Sequence, residues 1–96
     1  MDAVTVRLHY RKSDGTIEDA VQDYSLESFA GFLPAVGDTV LDPGVTQGLD
    51  RREPSNRRIW TVVQRMFNPR DLENYVALVV EERAPLETEH ALLPSH

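Results

Sequence analysis

Apolar and polar positions alternate along the first strand-like stretch of the chain. Val4, Val6, Leu8 and Tyr10 fall on one side, and Thr5, Arg7, His9 and Arg11 on the other. A period of two predicts a half-buried β-strand. Ser13-Asp14-Gly15-Thr16 follows, and Asp-Gly between apolar runs is a hairpin signal because glycine accepts a positive φ. The return strand covers residues 17–26. Tight pairing about Asp14-Gly15 would put Asp23 beside Val6 and Asp19 beside Tyr10, acids on the apolar side. Sliding by one residue sets Leu26 beside Val4, Tyr24 beside Val6 and Ala20 beside Tyr10. It also sets Asp23 beside Arg7 and Asp19 beside Arg11. The second register is expected, reached by a three-residue turn or a bulge.

Over residues 25–33 the period changes. Leu26, Phe29 and Phe32 or Leu33 recur at helical spacing, Ser25 can cap, and Gly31 and Pro34 stop the run. One short helix is expected near residues 26–31, packing Phe29 and Phe32 against the sheet. Pro34-Ala35-Val36-Gly37-Asp38-Thr39-Val40 then reads as a turn entering a short strand. This P-x-x-G-D-x-V run, with Trp60-Thr61-Val62 and a last hairpin further on, resembles small SH3-like β-barrels, in which a Gly-Asp turn precedes a short curved strand. The resemblance implies a fold and carries no functional residues.

Residues 42–56 form a long loop rich in Gly, Pro, Asp and Arg. Loops of that length are functional or mobile. The strongest pattern, residues 57–82, reads as two strands joined at Asn68-Pro69-Arg70-Asp71, where an N-cap residue, a proline and acids favour one helical turn. Pairing Phe67 with Tyr75 sets Val63 beside Val79 on one face and Val62 beside Val80 on the other. Both faces are then apolar, so something must cover each. Residues 1–83 are read as a single β-rich domain. Residues 84–96 are read as a frayed tail with Leu92-Leu93 as its only anchor. The expected fold class is mainly β: a small curved antiparallel sheet or SH3-like barrel of about five strands with one short helix.

Composition narrows the chemistry. There is no cysteine, which excludes disulfides, thiolate metal sites and a Cys nucleophile. No stretch reads as a signal peptide, and the apolar run of residues 75–80 is too short to span a bilayer. A cytoplasmic protein of bacterial or phage type, without membrane association, is the expectation. Net charge is −6, which argues against avid non-specific nucleic-acid binding. Yet residues 51–70 hold six arginines and a single acid, Glu53, a local excess of five positive charges.

Arg51, Arg52, Arg57, Arg58 and Arg70 are therefore the candidate anion or nucleic-acid site, since the planar guanidinium pairs with phosphate or carboxylate. The bland alternative is pairing with the protein's own acids. Trp60 is a candidate aromatic contact for a base or peptide, set against an ordinary place in the core. His9, between Arg7 and Arg11, could act as a base but stands in no nucleophile motif. His90 and His96 read as solvated tail residues. No metal-ligand spacing, phosphate loop or cofactor motif is present. The leading expectation is a non-enzymatic binding module acting through a protein partner or self-association. Nucleic-acid binding through the arginine loop comes second. An enzyme, needing a pocket that gathers His9 or a carboxylate pair, comes third.

Overall fold

The computed structural model describes residues 3–94. Five strands, β1 (Thr5–Arg11), β2 (Ile17–Tyr24), β3 (Thr39–Leu41), β4 (Ile59–Asn68) and β5 (Leu72–Arg83), form one sheet in the order β2-β1-β5-β4-β3. The sheet curves into a half-barrel. Its pairs are antiparallel except β1 with β5, which is parallel, with Val6 beside Val76, Leu8 beside Leu78 and Tyr10 beside Val80. The expected all-antiparallel sheet is corrected at that pair. Local pattern sets which face a strand buries, whereas the direction of a distant neighbour depends on how the intervening chain crosses over.

The β1–β2 hairpin shows how both register devices operate together. Ser13, Asp14 and Gly15 make a three-residue turn: Lys12 N–H donates to Thr16 O at 2.8 Å and Gly15 N–H to Lys12 O at 2.9 Å. Gly15 takes φ +88° there, as this turn requires. From the turn the ladder runs with Glu18 beside Tyr10 and Asp19 beside His9. A wide bulge at Ala20–Gln22 then inserts two residues, and the ladder resumes with Asp23 beside Arg7 and Tyr24 beside Val6. The expected register therefore holds at the far end of the hairpin. Near the turn it is corrected: Glu18, not Ala20, lies beside Tyr10, and Asp19 lies beside His9 rather than Arg11. The bulge brings Asp19 and Asp23 to the same guanidinium. Arg7 Nε donates to Asp19 Oδ1 at 2.9 Å, and its Nη1 donates to Asp23 Oδ1 at 3.1 Å.

In the β4–β5 hairpin Val62 lies beside Val80, as expected, but a bulge at Val63 shifts the remainder so that Phe67 meets Val76 and not Tyr75. The tip is a three-residue turn between Asn68 and Leu72, with Asp71 N–H donating to Asn68 Oδ1 at 3.2 Å. The expected helical turn is absent, because the asparagine side chain closes the tip without a helical hydrogen bond.

Val6, Leu8, Trp60, Val62, Leu78 and Val80 form the core on the concave face. Tyr10 and Tyr24 meet Trp60 edge-on, at centroid distances of 6.2 and 6.3 Å. A 3-10 helix, Leu26–Phe29, supplies Leu26 and Phe29 as a lid on this core, with Leu33 after it. Phe32 was expected beside Phe29 but is 76% exposed. The helix is only four residues long and ends at Ala30 in the left-handed region, which turns Phe32 away. On the convex face Ile59 and Val79 are also buried, and Val79 lies between His9 and Gln64. Two further 3-10 helices follow where one helix was expected: Pro54–Asn56 in the long loop, and Glu87–Leu92 in the carboxy-terminal segment, tied to β5 by Arg83 Nη1 donating to Glu89 Oε1 at 2.7 Å. The anchor of that last segment is this ion pair; Leu92 is exposed.

Val21, inside the β2 bulge, has φ +54° and an exposed side chain. A β-branched residue is costly in that region and gains little from burial here. Val21→Gly is expected to raise stability by about 0.5–1 kcal/mol, seen as a higher midpoint in thermal unfolding.

Candidate functional site

The arginines of residues 51–70 do not converge. Arg57 is 2% exposed. Its Nη1 donates to Arg51 O at 3.0 Å and its Nη2 to Asp42 O at 3.1 Å. It ties the two ends of the 42–56 loop to the start of β4, and because its remaining Nε–H is buried too, it is a structural cation that presents no group to a phosphate in solvent. Further hydrogen bonds brace the loop: Asp42 Oδ1 accepts from Gly44 N–H, Asp50 Oδ1 accepts from Arg52 N–H, and Asn56 Nδ2 donates to Asp50 O. Arg51, Arg52 and Arg58 are exposed beside it, and Arg70 is exposed at the distant hairpin tip. Trp60 is fully buried and lies in the core, so it presents no face for stacking. His9 Nδ1 lies 3.2 Å from Arg7 O. His96 lies outside the described residues.

One carboxylate pair is gathered that the sequence pattern did not single out. Glu82 stands beside Trp60 on the concave side of β5, and Asp42 stands at the end of β3. Both line a cleft under the 42–56 loop, together with Tyr10 and Arg58. Partial burial holds the Glu82 carboxyl above its ordinary range, the Asp42 charge pushes the same way, and Arg58 opposes them. Burial likewise lifts the Tyr10 phenol to about 12, with Asp42 and Glu82 adding to it. Forty residues separate Asp42 from Glu82 in the chain, so only the sheet's curvature could reveal the pair. Among the described residues no three acids or histidines gather as a metal site.

A second site lies along β3. Asp38 O accepts from Val62 N–H and Asp42 N–H donates to Arg58 O. In an antiparallel ladder alternate residues bond the same neighbour, so the backbone groups of Thr39 and Leu41 point away from β4. They face a groove of about 620 Å³ whose other wall is Phe29, Phe32, Leu33 and Pro34. The turn that sets this edge is the P-x-x-G-D run. Asp38 N–H donates to Ala35 O, Asp38 Oδ2 accepts from Ala35 N–H, and Gly37 takes φ +96°.

No protein-family model, curated protein or solved structure matches the chain. No helix among the described residues is long and apolar enough to cross a membrane.

The Glu82 carboxyl gives a signed pH prediction. Its folded-state value is raised above the unfolded 4.5, so its ionisation costs stability once pH exceeds the folded value and costs nothing below the unfolded one. Glu82→Gln is expected to raise the melting temperature at neutral pH, with the gain fading as pH falls below the ordinary carboxylate range. Melting curves of both proteins across pH check this.

Proposed function

We propose that this protein is a non-enzymatic binding module that takes an extended segment of a protein partner along β3. The observation that carries the reading is the outward-facing backbone of Thr39 and Leu41 opposite the apolar wall of Phe29, Phe32, Leu33 and Pro34. An exposed strand edge supplies main-chain hydrogen bonds to an added strand, and a flanking apolar wall selects alternate side chains. Phe32 suits that role because so large an apolar side chain is left uncovered by its own fold. A random-peptide display selection on the immobilised protein is expected to enrich sequences with alternating apolar residues. Phe32→Glu should weaken an enriched peptide by about tenfold, near 1.4 kcal/mol. Leu41→Pro, which removes one outward N–H while sparing the bonds to β4, should weaken it similarly. Failure to enrich any peptide that depends on both positions rejects the reading.

A second reading, nucleic-acid binding, draws on the exposure of Arg51, Arg52 and Arg58, which lie in and just after the 42–56 loop. It no longer includes Arg57 or Trp60. Titration with labelled single- and double-stranded oligonucleotides at low salt tests it. The reading expects binding that weakens as salt rises and is lost when these three arginines become alanine; no salt-dependent binding dismisses it.

A further inference from the structure

The two ends of the sheet are treated differently. At one end, β2 carries Glu18, Asp19 and Asp23, and the Ala20–Gln22 bulge breaks its line. Acids and a bulge on an edge strand discourage pairing with another chain. At the other end, β3 is only three residues long and pairs with β4 at Ile59, Trp60 and Thr61. The turn before β3 extends this cover by one residue, since Val62 N–H donates to Asp38 O and Val62 O accepts from Gly37 N–H. Beyond Val62, β4 continues to Asn68 with β5 on one side and no element among the described residues on the other. Met66 and Phe67 on this stretch are 57% and 56% exposed, and the Arg65 guanidinium lies 5.6 Å from the Phe67 ring centroid.

We propose that the free edge of β4 pairs antiparallel with the same edge of a second copy of this chain, about a twofold axis at Met66. An exposed strand edge is satisfied by another extended backbone, and a twofold contact requires a self-complementary segment. Residues 64–68 meet that requirement in one register. Met66 lies opposite the partner's Met66, Arg65 opposite the partner's Phe67, and Gln64 opposite the partner's Asn68. The Arg65–Phe67 attraction within one chain thus recurs between chains, and no like charges lie directly opposite. Moving the register one way sets Arg65 against the partner's Arg65 and drives the partner's Asn68 onto Val62, whose backbone is already bonded to Gly37 and Asp38. Moving it the other way sets the partner's Pro69 against Arg65, and proline has no N–H to give. The remaining register uses the open edge in full and stops at the turn before β3. The interface is small, so the dimer is weak and depends on concentration. It uses β4 and not the β3 groove, so its failure leaves the peptide-binding reading standing, and the reverse holds too.

The chain contains no cysteine, so Met66→Cys places one thiol on the axis. Cysteines directly opposite on antiparallel strands lie within disulfide reach. Mild oxidation with oxidised glutathione is expected to convert Met66→Cys to a covalent dimer severalfold faster than Leu72→Cys, a similarly exposed position off the axis. Adding Phe67→Asp should abolish that difference. Sedimentation of the unaltered protein should show a monomer–dimer equilibrium with rising concentration, shifted at least about tenfold by Phe67→Asp, while thermal unfolding confirms that each variant is folded. A strict monomer at all concentrations, or Met66→Cys dimerising no faster than Leu72→Cys, overturns the proposal.

Discussion

The structure depends on β5 being an interior strand buried on both faces. Leu78, Val79 and Val80 are consecutive and all buried, and successive residues of a strand point to opposite faces. Only a strand with neighbours on both edges and cover above and below can bury three in a row. β1 and β4 supply the edges, one parallel and one antiparallel. The concave cover comes from Trp60, the tyrosines and the Leu26–Phe29 helix. On the convex side, His9 and Gln64 flank Val79 in the adjoining strands, and the Arg11–Glu81 ion pair joins β1 to β5 one step along. The helix and the long polar side chains of the same chain thus share the burial of both faces, and no second copy is needed for it.

With the interior fixed, the edges carry the remaining possibilities. A half-barrel that does not close leaves unpaired backbone at its ends. On β2 the bulge that brings Asp19 and Asp23 to Arg7 also spoils the edge for a partner. On the opposite side the short β3 leaves two different openings. One is a groove beside Thr39 and Leu41. The other is a bare stretch of β4 beyond Val62. The P-x-x-G-D turn lies between them, and its bonds to Val62 keep the two openings apart.

Charge is organised against the impression that composition gives. The arginine-rich run from 51 to 70 is divided among separate tasks: Arg57 fastens a loop through carbonyl oxygens, Arg65 lies over an aromatic ring, and Arg70 sits at a remote tip. A strand rises over 3 Å per residue, so sequence proximity along β4 becomes distance in space. The reverse happens at Asp42 and Glu82, which are distant in sequence yet share a cleft with Tyr10 and Arg58.

The sequence by itself determined what local physics controls. The alternation of Val4 to Tyr10 marks a strand, Asp14-Gly15 marks a tight turn, Pro34 to Asp38 marks a turn into a strand, and the valines of residues 62–63 and 76–80 mark a hairpin apolar on both faces. Each depends on neighbours a few residues away. The choice between core and contact for Trp60 fell to the structure. Tertiary structure alone decided the parallel β1–β5 pair, the place and size of the β2 bulge, the bulge at Val63, the burial of Arg57, the exposure of Phe32 and the meeting of Asp42 with Glu82. These depend on how distant strands share one curved surface, where a single inserted residue moves a side chain to the other face. That long-range geometry is also what left the edges of β3 and β4 open.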